Sequence, residues 1–176
     1  MDIFKISGNI RYFVLKMANK KLNLGCGLDY KKGWVNVDVI DVKADMKFDL
    51  NNFPYPFKKD TFDEILLRMI LEHLEEPIEV LKEVIRISKN NAKLIIIVPH
   101  ANSYANLTDI QHKTNFTEDS FDIYLLNEYG LNSLFLGKKE FIFHHQWKKY
   151  MPFKSYLKIF LNGLYDDLCF EFRVRK

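Results

Sequence analysis

Apolar and polar positions along this chain fall into two rhythms. Ile10, Phe13, Val14 and Met17 recur at helical spacing with Arg11, Lys16 and Lys20 between them, which predicts an amphipathic helix over 1–20. From Lys21 the rhythm shortens. Residues 21–24, 34–38, 46–50, 62–67 and 93–98 are short apolar or alternating runs bounded by turn formers, and they read as strands. Glu76-Pro77 opens a helix before the last of these, since proline suits the first helical turn. Ile78, Leu81, Val84 and Ile85 form its buried stripe, and Asn90-Asn91 ends it. The run 93–98 is almost wholly apolar, as expected of a central parallel strand covered on both faces, and Pro99 stops it. Residues 100–116 read as a long loop and 117–128 as a helix capped by Thr117. Strands at 133–135 and 141–143, a helix at 155–161 and a final strand at 168–174 complete the chain.

Strands alternating with helices predict an α/β fold with a mostly parallel central sheet. No repeat or linker divides the 176 residues, so one domain is expected: the helix of 1–20, a ligand-binding half over 21–99 and a substrate-side half over 100–176. The first crossover is short. Gly25 to Gly33 spans nine residues, whereas a parallel crossover usually takes a dozen or more. Its helix must shrink to about a turn, or the second strand must start late.

The chemistry gathers at Leu22-Asn23-Leu24-Gly25-Cys26-Gly27, an apolar strand running into a two-glycine turn, with Asp38 closing the next strand. Such a turn brings a backbone close to a ligand at the carboxyl end of a parallel strand. A dinucleotide fingerprint needs a third glycine, where this chain has Tyr30, and an acid about 20 residues on, much later than Asp38. A Walker-type phosphate loop is equally absent from Gly25-Cys26-Gly27-Leu28-Asp29. The combination fits a nucleoside held without its phosphates, with Asp38 accepting from ribose hydroxyls.

These residues resemble a family. The run 22–27, Gly33-Trp34-Val35-Asn36-Val37-Asp38, Asp49-Leu50, Asp60-Thr61-Phe62-Asp63-Glu64-Ile65 and Leu71-Glu72-His73-Leu74 are similar, in order and spacing, to the successive motifs of class I S-adenosylmethionine-dependent methyltransferases of the small type-11-like subgroup. Residues 81–98 resemble the family's helix, tight turn and fifth strand, with Asn90-Asn91 where Gly-Gly is common. The resemblance implies a Rossmann-like fold with an antiparallel C-terminal strand, and S-adenosylmethionine as cofactor with S-adenosylhomocysteine as product. It places Asn23, Leu24, Gly25, Cys26 and Gly27 along the methionine, Asp38 on both ribose hydroxyls, Asp49 and Leu50 on the adenine, and Arg68, Met69 and His73 beside the methionine or adenine. Two departures stand out: Asp29 in place of the common third glycine, and the short crossover. Asp49 also suits a turn before Asn51-Asn52, and Glu72-His73 also reads as a helix start with a hydrogen-bonded histidine.

Methyl transfer from a sulfonium needs the acceptor atom held in line and out of water. A hydroxyl or amine acceptor gains from a base. His100, Asp109 and His112 lie in the long loop after the fifth strand and are the candidates, His112 as base with Asp109 orienting it. Residues 99–117 resemble a subgroup of methyltransferases often associated with surface-glycan synthesis, which points to O-methylation of a small molecule or glycan. The spacing of His100, Asp109 and His112 matches no standard metal pattern, so no metal is expected. His144-His145 reads as a solvent-facing pair.

Composition narrows the alternatives. The chain is 48% apolar and 28% charged, that of a soluble globular protein, with 15 phenylalanines and nine tyrosines. Two cysteines make no disulfide framework and point to a reducing, cytoplasmic setting. No apolar run reaches the length of a membrane span, and the first residues lack the order of a signal peptide. The net charge is +3, yet from Lys138 onward nine Lys/Arg face four Asp/Glu. That basic, aromatic end keeps an RNA or DNA methyltransferase in play, against which no Asn-Pro-Pro-Tyr-like motif for a flipped base is present. A non-catalytic cofactor-binding partner or sensor protein is the third reading.

Overall fold

The computed structural model describes residues 20–157 and 162–176, so the helix expected over 1–20 lies outside the described residues but for Lys20. Seven strands form one sheet in the order β3-β2-β1-β4-β5-β7-β6. They are β1 (Lys21–Leu24), β2 (Val35–Asp38), β3 (Met46–Lys47), β4 (Phe62–Arg68), β5 (Ser88–Pro99), β6 (Leu134–Ile142) and β7 (Asp167–Val174). The first five run parallel, and β7 lies antiparallel between β5 and β6. The chain leaves β1 toward β2 on one side and pairs β1 with β4 on the other. The carboxyl ends of β1 and β4 therefore flank the topological switch point, where ligands of such sheets bind.

Alternation along the strands builds the core. Leu22 and Leu24, Val35 and Val37, Ile65 and Leu67, and Leu94, Ile96 and Val98 belong to one buried cluster. Into it helix α1 (Pro77–Ile87) lays Val80, Leu81, Val84 and Ile87, and β7 adds Leu168, Phe170 and Phe172. The intervening side chains point to the other face. There Ile95 and Ile97 are half-buried, so among the described residues β5 is covered fully on one face only.

Several boundaries differ from expectation. Helix α1 ends at Ile87, not at Asn90-Asn91, because Thr61 N–H donates to the Ile87 carbonyl and Ser88 pairs with Phe62, drawing the chain into the sheet early. Asn91 then turns the strand with φ +63°. The loop 100–116 contains a short helix, α2 (Tyr104–Thr108), capped by Ser103. The helix expected from Thr117 is shorter, α3 (Ile123–Glu128), and its cap is Asp122; Thr117 instead closes a turn with Ser120. The two strands expected at 133–135 and 141–143 are one, β6, with a register shift between Leu136 and Lys138 that lets the polar Lys-Lys-Glu run stay in the ladder. Short helices α4 (Gln146–Lys149) and α5 (Lys154–Leu157) follow; the remainder of the helix expected at 155–161 lies outside the described residues. Among the described residues no helix is long and apolar enough to cross a membrane.

The shortened first crossover goes further than expected, for residues 25–34 form turns and no helix at all. Side chains take over its task. Asn23 and Asn36 are buried neighbours on the face away from the core cluster. Asn23 Nδ2 donates to the Asp29 carbonyl (2.9 Å) and to Asn36 Oδ1 (3.1 Å). Asn36 Oδ1 also accepts from Lys31 N–H (2.9 Å), while its Nδ2 donates to the Lys31 carbonyl (2.9 Å) and Asp45 (3.0 Å). Asp45 further accepts from Asn36 N–H (2.8 Å) and the Tyr30 hydroxyl (3.0 Å). Backbone groups that a helix would have paired internally are thus met by amides. The crossover from β3 to β4 also lacks a helix. Tyr55 and Phe57 plug it, with the Tyr55 hydroxyl on the Leu50 carbonyl (2.9 Å) and Arg86 on the carbonyls of Phe57 and Tyr55.

Replacing Asn36 by leucine strands the Lys31 N–H and the Asn23 amide. Urea unfolding of Asn36→Leu is expected to show a loss of about 3 kcal/mol, from about 1–3 kcal/mol per buried unpaired group. Asn52→Ala, at an exposed turn, should stay within about 0.5 kcal/mol of the parent.

Candidate functional site

The glycine turn leaves β1 at the switch point. Gly25 has φ +65°, and a Cβ there would stand 2.3 Å from Ile70 Cγ1, so both conformation and space demand glycine. Gly27 has φ +49° with open space around it. Its N–H donates to Asp38 Oδ2 at 2.6 Å, and Asp38 Oδ1 accepts from Val39 N–H (2.8 Å) and Ile40 N–H (3.1 Å). A carboxylate accepts about four hydrogen bonds, so Asp38, only 7% exposed, holds the turn with three and keeps room for one more. Beside it Val39 and Ile40 are half-exposed, an apolar lip that sequence reasoning missed.

The other residues expected to bind cofactor take varied positions. Asn23 turns its side chain into the crossover network and Leu24 into the core, leaving both only their backbones to offer. Burial and the Asp38 charge push the Cys26 thiol up, so it stays neutral. Asp49 Oδ1 accepts from Asn51 N–H (2.8 Å) and Nδ2 (3.0 Å), closing the turn, and Leu50 is buried beside it. At the end of β4, Arg68 pairs with Asp29 (3.1 Å), which also pairs with Lys31 (3.0 Å). These cations, Lys31 first, hold the Asp29 carboxyl below its usual range. The position of the common third glycine is thus half of an ion pair. Met69 follows with φ +52° and donates its N–H to the Ile97 carbonyl, a left-handed step that costs roughly 1–2 kcal/mol for a side-chain-bearing residue.

A second group lies just beyond β4. A 3-10 turn, Leu71–His73, carries Glu72 and His73. Glu72 is 0% exposed, and neither carboxylate oxygen has a hydrogen-bond partner. Burial pushes its pKa up to about 7, and the charges of Asp167 and Asp109 add to the rise. The His73 ring packs on His112 with centroids 4.7 Å apart. Burial and the His112 charge lower the pKa of His73. His112 Nδ1 lies 3.2 Å from Asn106 Oδ1, and its Nε2 lies 3.6 Å from Asp109 Oδ2. The loop bearing His112 is pinned to the 3-10 turn, since Lys113 N–H (2.8 Å) and Thr114 N–H (3.3 Å) both donate to the Glu72 carbonyl.

His112 and Asp109 therefore meet as expected, and Glu72 and His73 join them. His100 stands apart. It is buried beside Phe141 and Tyr165, with Nδ1 accepting from Asn102 N–H (3.0 Å) and Nε2 against Glu118 (3.2 Å). Both ring nitrogens are engaged in holding the loop. His144 is exposed but not idle, for its Nε2 is 2.8 Å from Asp167 Oδ2. Burial raises the Asp167 pKa even so. Sequence reasoning missed Asn106 and Asp167 as members of this neighbourhood; Glu72 it singled out only in the Glu72-His73 pair, without a role of its own. A cavity of about 240 Å³ is lined chiefly by apolar side chains such as Leu71, Ile78, Phe116 and Phe121, and no candidate site residue borders it.

Comparison with known proteins agrees with this geometry. A family model described as a methyltransferase domain, of the type-11 group, matches residues 14–96. The chain is 31% identical over 152 aligned positions to uncharacterized protein MJ0638 of Methanocaldococcus jannaschii, covering 72% of this chain and 67% of that one. The chain belongs to the class I S-adenosylmethionine-dependent methyltransferases. The fold is shared with an S-adenosylmethionine-dependent methyltransferase from Archaeoglobus fulgidus (TM-score 0.65, 17% identity, 94% of this chain and 91% of that one). It is shared too with a chain from the complex of the Haloferax volcanii Trm112 methyltransferase activator with a methyltransferase (TM-score 0.60, 13% identity, 94% and 88%). This methyltransferase uses S-adenosylmethionine as its cofactor. The residues present fit it: a glycine turn at the switch point, an acid at the end of β2 with one acceptor site to spare, and no cradle for a pyrophosphate.

The two glycines separate in a simple test. Alanine at either carries a left-handed cost of roughly 1–2 kcal/mol, but only Gly25→Ala also drives a methyl into Ile70. Urea unfolding should show Gly25→Ala clearly less stable than Gly27→Ala.

Proposed function

We propose that this methyltransferase transfers a methyl group to a hydroxyl of a small-molecule or glycan acceptor. Asp38 gives its remaining acceptor site to a ribose hydroxyl. Asp49 and the Leu50 backbone meet the adenine edge, with Val39 and Ile40 against its face. Arg68, which has donors left beyond its Asp29 contact, meets the methionine carboxylate, while Gly25, Cys26 and Gly27 run beneath the methionine and Met69 and His73 border it. The acceptor enters beside the loop after β5. As its oxygen attacks the sulfonium methyl, an O–C bond forms, the C–S bond breaks with its electrons going to sulfur, and the hydroxyl proton passes to the His112–Asp109 pair.

The convergence of Glu72, His73, Asp109 and His112 beyond the ends of β4 and β5 carries this reading, because a hydroxyl acceptor needs a proton acceptor there and a carboxylate acceptor does not. His100 is left as the residue that fixes the loop. A nucleic-acid substrate is less well supported, since several of the basic residues near the C-terminus are already paired within the chain. Lys138 pairs with Glu140, Lys148 with Asp166 and Lys176 with Asp60, and Arg175 lies over Phe135. The two free cysteines accord with a reducing compartment such as the cytoplasm.

Calorimetric titration tests the cofactor arm. S-adenosylmethionine should bind and NAD should not. Asp38→Ala should weaken binding by about 100-fold, since a hydrogen bond to a charged group is worth about 1.5–3 kcal/mol and the turn is loosened as well. Unchanged affinity in that variant would overturn the ribose assignment. On a panel of hydroxylated acceptors, His112→Ala should lower kcat far more than it alters cofactor affinity. Binding without turnover on every acceptor would favour the sensor reading, and binding of RNA or DNA that falls steeply with salt would favour the nucleic-acid one.

A further inference from the structure

We infer that Glu72, His73 and His112 form a binding site for one divalent first-row transition-metal ion, of the zinc, cobalt or manganese type. One ligand atom from each of the three lies within 4.8 Å of the others. Around an ion with bonds of about 2.0–2.1 Å, tetrahedral ligands stand about 3.3 Å apart, so small side-chain rotations suffice.

The hydrogen bonds around His112 leave a lone pair, not a proton, on its free nitrogen. Asn106 spends both amide hydrogens, on the Ala101 carbonyl (3.1 Å) and on Asn115 Oδ1 (2.7 Å). Its Oδ1, facing His112 Nδ1 at 3.2 Å, must therefore accept. That fixes the His112 proton on Nδ1 and leaves Nε2 bare. His73 packs its ring against His112, with centroids 4.7 Å apart. A neutral imidazole always keeps one nitrogen with a lone pair. The Asn106 oxygen behind the His112 imidazole is the arrangement that orients histidine toward a metal. Glu72 completes the set: fully buried, and with no partner for either oxygen. A buried carboxylate beside two imidazoles, with no hydrogen bond to either oxygen, is unfavourable, and a cation removes the conflict.

Ligand chemistry selects the ion. Two imidazoles and one carboxylate suit zinc, cobalt, manganese or iron, whereas magnesium and calcium prefer all-oxygen shells. Three protein ligands leave at least one position open. In methyl transfer, a role that rests on the hydroxyl-acceptor reading above, that position takes the acceptor oxygen and lowers its pKa. His112 is then committed to the metal, and the acceptor proton goes to Asp109, whose carboxylate lies beside His112 Nε2 and is partly exposed.

The test uses the full chain, stripped with a chelator, and reads metal and cofactor binding separately. Calorimetry with zinc chloride should give one site per chain, at least about 100-fold tighter than magnesium chloride. Cobalt should produce visible d–d absorption that zinc displaces. Glu72→Gln and His112→Ala should weaken zinc by at least about 100-fold, Asn106→Leu by about 10–100-fold, and the exposed His145→Ala not at all. Asp38→Ala should keep zinc while losing S-adenosylmethionine, and His112→Ala the reverse, so that failure of one assignment is distinguishable from failure of the other. Zinc-edge anomalous scattering from crystals of the unmutated protein needs no variant to fold, and should place a peak among the three side chains. Zinc no tighter than magnesium, affinity unchanged in both ligand variants, or no anomalous peak at the three side chains would overturn the proposal.

Discussion

A buried amide stands where a helix is missing. Asn36 gives and receives hydrogen bonds along the whole β1–β2 crossover, and through Asp45 it binds the segment leading into β3. A crossover without a helix exposes backbone groups that water cannot reach beneath a sheet, and unpaired they would unfold it. Because Asn23 and Asn36 meet those groups, β1 and β2 keep their register. The glycine turn and Asp38 consequently emerge side by side at the switch point. The cofactor cleft is thus shaped by two side chains that do not face it.

The parallel sheet is legible in the sequence because its strands are apolar runs cut by unambiguous turn formers, and the apolar stripe of α1 has clean helical spacing. The cofactor side is legible for the same reason: Gly25, Gly27 and Asp38 are strand-end residues whose positions follow once the strands are placed. The acceptor side is not. Glu72 and His112 are 40 positions apart in sequence, joined by a tertiary contact in which Lys113 and Thr114 dock on a main-chain carbonyl, which no local periodicity encodes. His100 is indistinguishable from His112 by sequence, and only its burial between Phe141 and Tyr165 assigns it to the scaffold. The fusion of two short strands into β6 was hidden by the Lys-Lys-Glu run, whose polarity hides a strand held by its ladder.

The two halves of the site handle charge in opposite ways. Asp38 is buried but satisfied, with three backbone donors on its carboxylate. Glu72 is buried and unsatisfied, and Asp167 nearby has an oxygen in the same state. Unmet polar groups of this kind weaken a fold, and proteins retain them where something else completes them. One acid is completed by the fold itself and the other is not.

The docking of residues 113–114 onto the Glu72 carbonyl divides the acceptor loop into a fixed base and a free tip. At the tip, Tyr104, Leu107 and Ile110 are exposed and make no part of the core. Substitution of those three side chains leaves the core and the anchored base undisturbed. On the function proposed for this site, a lineage of such enzymes is therefore free to change the molecule it recognises through those three side chains, while Glu72 and His112 remain where β4 and the docked segment put them.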